Sequence, residues 1–171
     1  MTRHVLISKF LGALIGAGIG DALGTLFEGW RRVEPRQIKT AAGRPQILAY
    51  TDDTHMMIGV VESLIRSRGF DGEDMARTFI QNYELEPFNS VPTAIYSFPI
   101  QPNSFAEAVL YAISLGGDTD TIGAMTGAIS GAYLGIESIP DDWKSKLENK
   151  LYIQELAEKL WNLKWTGGND S

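Results

Sequence analysis

Three observations predict that the 171-residue sequence folds as an all-α protein. Apolar residues recur at helical spacing in segment after segment, and no stretch alternates with period two over a useful length. Two segments also carry glycine at every fourth position: Gly12, Gly16, Gly20 and Gly24, then Gly123, Gly127, Gly131 and Gly135. Aligned as "GALIGAGIGDALG" and "GAMTGAISGAYLG", they agree at seven of thirteen positions. Helical positions i and i+4 share a face, so each stripe is a groove without side chains. An interior glycine costs about 0.8–1 kcal/mol against alanine. Close backbone approach, of the two helices to each other or of each to a neighbour, is the expected compensation.

The remaining elements follow in order. From Asp53, "DTHMMIGVVESLIRSRG" puts Met57, Val60, Val61, Leu64 and Ile65 on one face and stops at Gly69. "DGEDMARTFIQNYE" offers Asp71 as a cap and gives Met75, Phe79 and Ile80 a common face. "SFAEAVLYAISLGG" has a Ser-x-x-Glu capping box, Ser104 to Glu107, and ends at glycine. The C-terminal "NKLYIQELAEKLWNL" is amphipathic, with Leu151, Leu156, Leu160 and Leu163 as expected core. Residues 30–50 and 84–103 hold most of the prolines and are expected to be loops. No linker or low-complexity stretch divides the chain, so residues 1–171 are read as a single domain.

Composition narrows the chemistry. Hydrophobic residues at 44% and charged residues at 21% are ordinary for a globular protein and argue against disorder. A net charge of −6 provides no basic footprint for nucleic acid. With no cysteine there is no disulfide, thiolate zinc site or thiol nucleophile, and His4 and His55 are the only imidazoles. A metal site would be built mainly from oxygen, which suits Mg²⁺, Mn²⁺ or Ca²⁺. The N-terminal "MTRHVLISKFLGALIGAGIGDALG" has the outline of a signal peptide, but Asp21 follows the apolar run directly and the glycines keep a fixed spacing. Neither glycine run reaches the roughly 20 uninterrupted apolar residues that span a bilayer, so no membrane association and a cytoplasmic location are the expectations.

Two acidic clusters stand where a loop enters a helix: "YTDDTH" at 50–55 and "GGDTDT" at 116–121. Asp and Thr are favoured helix caps, so either cluster alone is accounted for by capping. Together they hold more oxygens than caps need. Asp52 with Asp53, and Asp118 with Asp120, are like charges that persist most easily around a cation.

The segments "GALIGAGIGDALGTLFEG", "YTDDTHMMIGVVESL" and "LGGDTDTIGAMTGAISGAYLG", in this order and followed by "IPDDW", resemble the ADP-ribosylglycohydrolase family, which includes the dinitrogenase reductase-activating glycohydrolases. The resemblance covers about residues 10–83 and 90–160. It implies a compact orthogonal helical bundle holding two divalent ions, Mg²⁺ or Mn²⁺. Position by position, it implies Glu28, Thr51, Asp52, Asp53, Asp118, Asp120 and Thr121 as metal ligands. It also implies, as substrate, an ADP-ribosylated protein or an ADP-ribose-like small molecule. Glycosidic cleavage at the ribose anomeric carbon passes through an oxocarbenium-like transition state. Metal ions can grip the ribose hydroxyls and lower the pKa of a bound water, and a nearby carboxylate can take its proton. Glu28, Asp53 and Asp120 are the candidate catalytic residues. Glu28 is the first choice for a base, with a plain ligand or surface acid as its alternative. Asp21 reads as a positioning or helix–helix hydrogen-bonding residue, and His55 as structural.

The sequence departs from the family between "FIQNYE" and "NSVPTAIYSF", where relatives carry a "GNG…MR"-type segment and histidine-containing helices that shape the substrate pocket. Phe88 and Tyr83 flank the junction and are either packed or available to stack on adenine. Gly116 and Gly117 either approach a diphosphate or simply end a helix. Three functions stay open: a compact ADP-ribosyl or ribosyl hydrolase, a non-catalytic relative retaining the fold, and a metal-dependent phosphohydrolase. Helices missing from a packed bundle would leave apolar surface bare, so a homo-oligomer, a dimer, is expected.

Overall fold

The computed structural model describes residues 2–71, 74, 94, 97 and 100–166. Most of the helix expected over 71–84, with Met75, Phe79 and Ile80, and the aromatic pair Tyr83 and Phe88 lie outside the described residues. Among those described there are seven α-helices and no strand: α1 (Arg3–Gly24), α2 (Pro35–Ala42), α3 (Asp52–Arg66), α4 (Phe105–Ser114), α5 (Thr119–Leu134), α6 (Asp141–Lys146) and α7 (Lys150–Thr166). A single 3-10 turn, Thr25–Phe27, continues α1, and another, Ile136–Ser138, follows α5.

The two glycine helices are the spine, and they pack on each other. Gly12 faces Gly131, Gly16 faces Gly127, and Gly20 faces Gly123, so α1 and α5 run antiparallel with backbone against backbone. A methyl group on Gly20 would fall within 3.0 Å of the Gly123 carbonyl and the Ala124 nitrogen. The stripe ends at Gly24, which meets the backbone of Thr119 and Asp120; there the Thr119 hydroxyl donates to the Gly24 carbonyl at 2.7 Å. The glycine contact thereby carries the start of α5, with its acids, to the C-terminal end of α1.

The hydrophobic core flanks this spine: Ile15, Ile19 and Leu23 of α1 are fully buried, together with Phe105, Val109 and Ile113 of α4 and Ile153 of α7. By length and composition, α1 continued to Phe27 could cross a membrane, with a mean hydropathy of 1.6. The length expectation from the sequence does not hold for α1 by this measure. However, 72% of that window is buried within the protein.

Several elements differ from expectation. The segment 30–50 contains α2, started by Pro35 in the first turn and by a capping box in which Glu34 and Gln37 each accept from the other's backbone N–H. Within 84–103, the described residues Ala94, Ser97 and Ile100 are helical, while 101–103 form a turn as expected. Ser104 caps α4 by accepting from the Glu107 N–H at 3.3 Å, while the Glu107 carboxylate pairs with Lys39 at 2.8 Å. Helix α3 ends at Arg66, and Arg68 takes a left-handed φ of 53° before Gly69. On α7 the buried face is Ile153, Leu156, Ala157 and Trp161; Leu151, expected in the core, is 76% exposed in the first turn.

Candidate active site

The site begins with one buried carboxylate. Asp21 projects from α1 with no solvent exposure and accepts hydrogen bonds from the start of α3. The Thr51 N–H reaches both its oxygens, at 3.1 and 3.0 Å, and the Thr51 hydroxyl donates at 2.7 Å. The Thr54 N–H and hydroxyl donate to Oδ2 at 3.0 and 2.5 Å. Asp21 therefore caps α3 from another helix, and Thr51, the N-cap residue by position, makes no side-chain cap of its own. This is the hydrogen-bonding role that the sequence suggested for Asp21.

The consequence falls on Asp52 and Asp53. Both lie in the first turn of α3, where an acid would ordinarily serve as a cap, but Asp21 already does that work. Asp53, half-buried, accepts instead from the Thr121 hydroxyl of α5 at 3.0 Å, and that bond joins the two clusters. Asp118, the N-cap residue of α5, likewise makes no side-chain cap bond. Asp120 accepts from the Thr121 N–H at 2.9 Å and shares a hydrogen bond with Asp118.

Crowding leaves a clear electrostatic mark. The pKa of Asp53 is pushed up to about 6, mainly by burial and further by Asp21, Asp52 and Asp118, against the Thr121 hydrogen bond that lowers it. That of Asp120 is pushed up to about 7, first by burial, then by its hydrogen bond with Asp118 and the charges of Glu28 and Asp118. Six carboxylates thus act on one small region, and no cationic side chain contributes to either shift.

Glu28 is exposed and follows the first 3-10 turn. Its position is fixed by a backbone clip: the Gly29 N–H donates to the Gly117 carbonyl at 2.9 Å, and the Gly117 N–H to the Trp30 carbonyl at 2.7 Å. Gly116 and Gly117, with φ of 79° and 83°, end α4. A side chain at Gly116 would collide with the Trp30–Arg31 backbone, so this glycine serves the clip. His55 is exposed and its ring stands edge-on to Tyr50 at 5.0 Å, a structural contact.

All seven residues put forward as ligands in the sequence lie around the meeting of α3, α5 and the 28–30 loop. Their donors, carboxylate and hydroxyl oxygens, suit a hard divalent cation. The side chains stand as pairs, Asp53 with Thr121 and Asp118 with Asp120, and among the described residues no three acids or histidines converge as they would on a single ion. The sequence singled out every one of these acids; the bonds that Thr54 donates to Asp21 were not anticipated, because they depend on where α1 meets the start of α3.

Comparison with known proteins adds the following. The ADP-ribosylglycohydrolase family profile matches residues 2–90 and 87–169. The chain is 45% identical over 86 residues to "ADP-ribosylhydrolase ARH3" of Homo sapiens, a match covering 44% of this chain and 24% of that protein. The Bos taurus protein of the same name is 46% identical over 86 residues, covering 44% and 24%. "ADP-ribosylarginine hydrolase Tri1" of Serratia proteamaculans is 42% identical over 59 residues, covering 34% of this chain and 16% of that one. The matches thus span a quarter or less of these relatives' lengths. A solved "ADP-ribosylglycohydrolase-related protein complex" shares the fold, with a TM-score of 0.76 and 17% identity over 94% of this chain and 99% of that one.

Proposed function

The chain belongs to the ADP-ribosylglycohydrolase family, and on that premise we propose that it is a metal-dependent hydrolase that removes ADP-ribose, or a smaller ribosyl group, from a protein side chain or small molecule. The observation that carries this reading is the hydrogen bond from Thr121 to Asp53, which joins two acidic clusters 68 residues apart in sequence. Around it lie carboxylates that burial first, and then neighbouring acids, hold above the ordinary range, a crowding that a cation would relieve.

Glu28, Thr51, Asp52, Asp53, Asp118, Asp120 and Thr121 would hold two divalent cations, Mg²⁺ or Mn²⁺. When bound, such ions supply Lewis acidity that favours ionisation of water and orients ribose hydroxyls. The protein's own part is charge and placement. Asp21 fixes the first turn of α3, so that Asp52 and Asp53 are aimed without being used as caps. In the metal-free protein burial and crowding hold Asp53 and Asp120 above the ordinary carboxylate range, at about 6 and about 7, and bound cations would hold both ionised. Glu28, exposed and next to the Gly29–Gly117 clip, would take a proton from the attacking water.

The test is turnover. The protein with Mn²⁺ or Mg²⁺ is expected to release free ADP-ribose, without inorganic phosphate, from an ADP-ribosylated substrate, and Asp120→Asn to lower the rate about 100-fold or more while remaining folded. Unchanged turnover in Asp120→Asn removes the reading, and release of phosphate replaces it with a phosphohydrolase. A second reading, a non-catalytic relative that keeps the fold, is favoured by the short stretch between "FIQNYE" and "NSVPTAIYSF", where family members carry substrate-pocket segments. Absence of any product with either metal across a panel of ADP-ribosylated substrates would favour it.

A further inference from the structure

The most lopsided positive charge in the chain lies outside the acidic clusters. From Arg31 to Arg44 there are five cationic residues and one acid, Glu34, although the whole chain has a net charge of −6. Lys39 is paired with Glu107. Arg31, Arg32, Arg36 and Arg44 are exposed, and none forms an ion pair among the described residues. Guanidiniums gathered in this way without a counter-charge leave a positive surface on an otherwise acidic protein.

Two of these arginines border a groove of about 490 Å³ between α2 and the turn Thr25–Phe27. Arg36, Thr40 and Arg44 follow one another at intervals of four, so they share one side of α2 and of the turn that ends it. Phe27 and Ala41, both buried, provide the floor, and Leu26 and Trp30, 42% and 47% exposed, an apolar wall. Trp30 is held in place: its ring stands edge-on to Phe27 with centroids 5.6 Å apart, and its carbonyl accepts from the Gly117 N–H at 2.7 Å. Exposed tryptophan and arginine around a small apolar depression are the composition of protein-binding hot spots.

Spacing selects the occupant. Eight helical residues rise about 12 Å, so the backbone positions of Arg36 and Arg44 are separated along the groove by more than the width of one carboxylate or phosphate. An extended chain covers that distance in about four residues, at roughly 3.3 Å each. Its first, third and fifth side chains then face the same way. Acids at the first and fifth positions meet the two arginines, and an apolar third meets Leu26, Phe27 and Trp30.

We propose that this groove is a docking surface for an extended acidic segment of a partner protein, with an apolar side chain seated against Leu26, Phe27 and Trp30 between two carboxylates held by Arg36 and Arg44. The proposal makes no use of the hydrolase reading, and a chain that turns nothing over would bind the same segment.

Fluorescence anisotropy of a labelled peptide, Glu-Ser-Leu-Ser-Glu-Ser-Leu-Ser-Glu, titrated with the full chain tests it. Wild type is expected to bind, and more weakly as salt rises. Arg36→Gln/Arg44→Gln is expected to lose about tenfold in affinity, roughly threefold for each exposed charge contact. Arg68→Gln/Lys159→Gln removes the same charge elsewhere and is expected to bind as wild type does, which separates a site from the pull of net charge. Trp30→Ala is expected to weaken this peptide but not its counterpart with serine in place of leucine, a difference that charge alone does not produce. Circular dichroism is expected to be unaltered in each variant. No binding by wild type, equal losses in the two double variants, or a Trp30→Ala effect that is the same for both peptides overturns the proposal. So does tighter binding of a single-stranded RNA of the same length that the Arg36→Gln/Arg44→Gln variant abolishes, which would make the groove a nucleic-acid site.

Discussion

At the scale of single residues, Asp21 and Asp120 illustrate two uses of a buried carboxylate. Asp21 is fully satisfied by the N–H groups and hydroxyls of Thr51 and Thr54. Replacing it with alanine leaves the first turn of α3 uncapped in a buried place, at a cost of about 3 kcal/mol or more in unfolding free energy, and a chemical-denaturation series measures that loss. Asp120 is the reverse, raised to about 7 first by burial and then by Asp118 and Glu28. Between the unfolded value of 3.8 and about 7, the folded metal-free protein holds more protons at this position than the unfolded chain. Its stability contribution therefore falls as pH rises through that window. In EDTA, the melting temperature of Asp120→Asn is expected to exceed that of wild type increasingly from pH 4 to 7 and to level off above; a gap that closes as pH rises contradicts the assignment. These acids were legible from the sequence because they outnumber the caps that two helices need. That the cap of α3 comes from α1 was not legible in detail, since it depends on where two helices cross.

At the scale of elements, the glycine stripes turn a sequence period into a distance. A methyl group on Gly20 meets the backbone of Gly123, which has no flexible side chain to yield. Gly20→Ala is expected to cost about 3 kcal/mol or more, at or beyond the top of the usual range for overpacking. Gly43→Ala, with a normal φ of −77° and its nearest contact at 3.4 Å, is expected to stay within about 0.5 kcal/mol of wild type. Thermal melts of the two variants side by side check both; equal losses would mean that the helix pairing is looser than described. The period-four glycines made the α1–α5 pairing readable as one of the two options. Helix α2 was not read because its prolines suggested a loop, although Pro35 sits at a helix start, where the missing N–H is harmless. On α7, Leu151 fits the amphipathic period, yet it stands in the first turn, where the helix has not yet reached the core, and Ile153 fills that role.

For the whole molecule, the question is what covers the apolar surface that remains. Ile47 is 72% exposed and Leu151 76% exposed. They belong to one neighbourhood: Leu48 bridges Leu147 in parallel register, the Tyr50 hydroxyl accepts from the Asn149 side chain at 3.0 Å, and Leu151 follows two residues later. Phe70, 80% exposed, stands at the end of the described segment that follows α3. Two large aliphatic side chains exposed in one neighbourhood offer an apolar contact surface. We propose that this face is where two copies of the chain meet about a two-fold axis, since a surface able to pair with itself closes most simply as a dimer. Light scattering at micromolar concentration is then expected to give twice the mass of 18.8 kDa. The double variant Ile47→Glu/Leu151→Glu is expected to return the single mass, because in a symmetric interface each substitution places charge on both sides at once. A wild type already at 18.8 kDa removes the proposal, and so does a charged variant that remains dimeric.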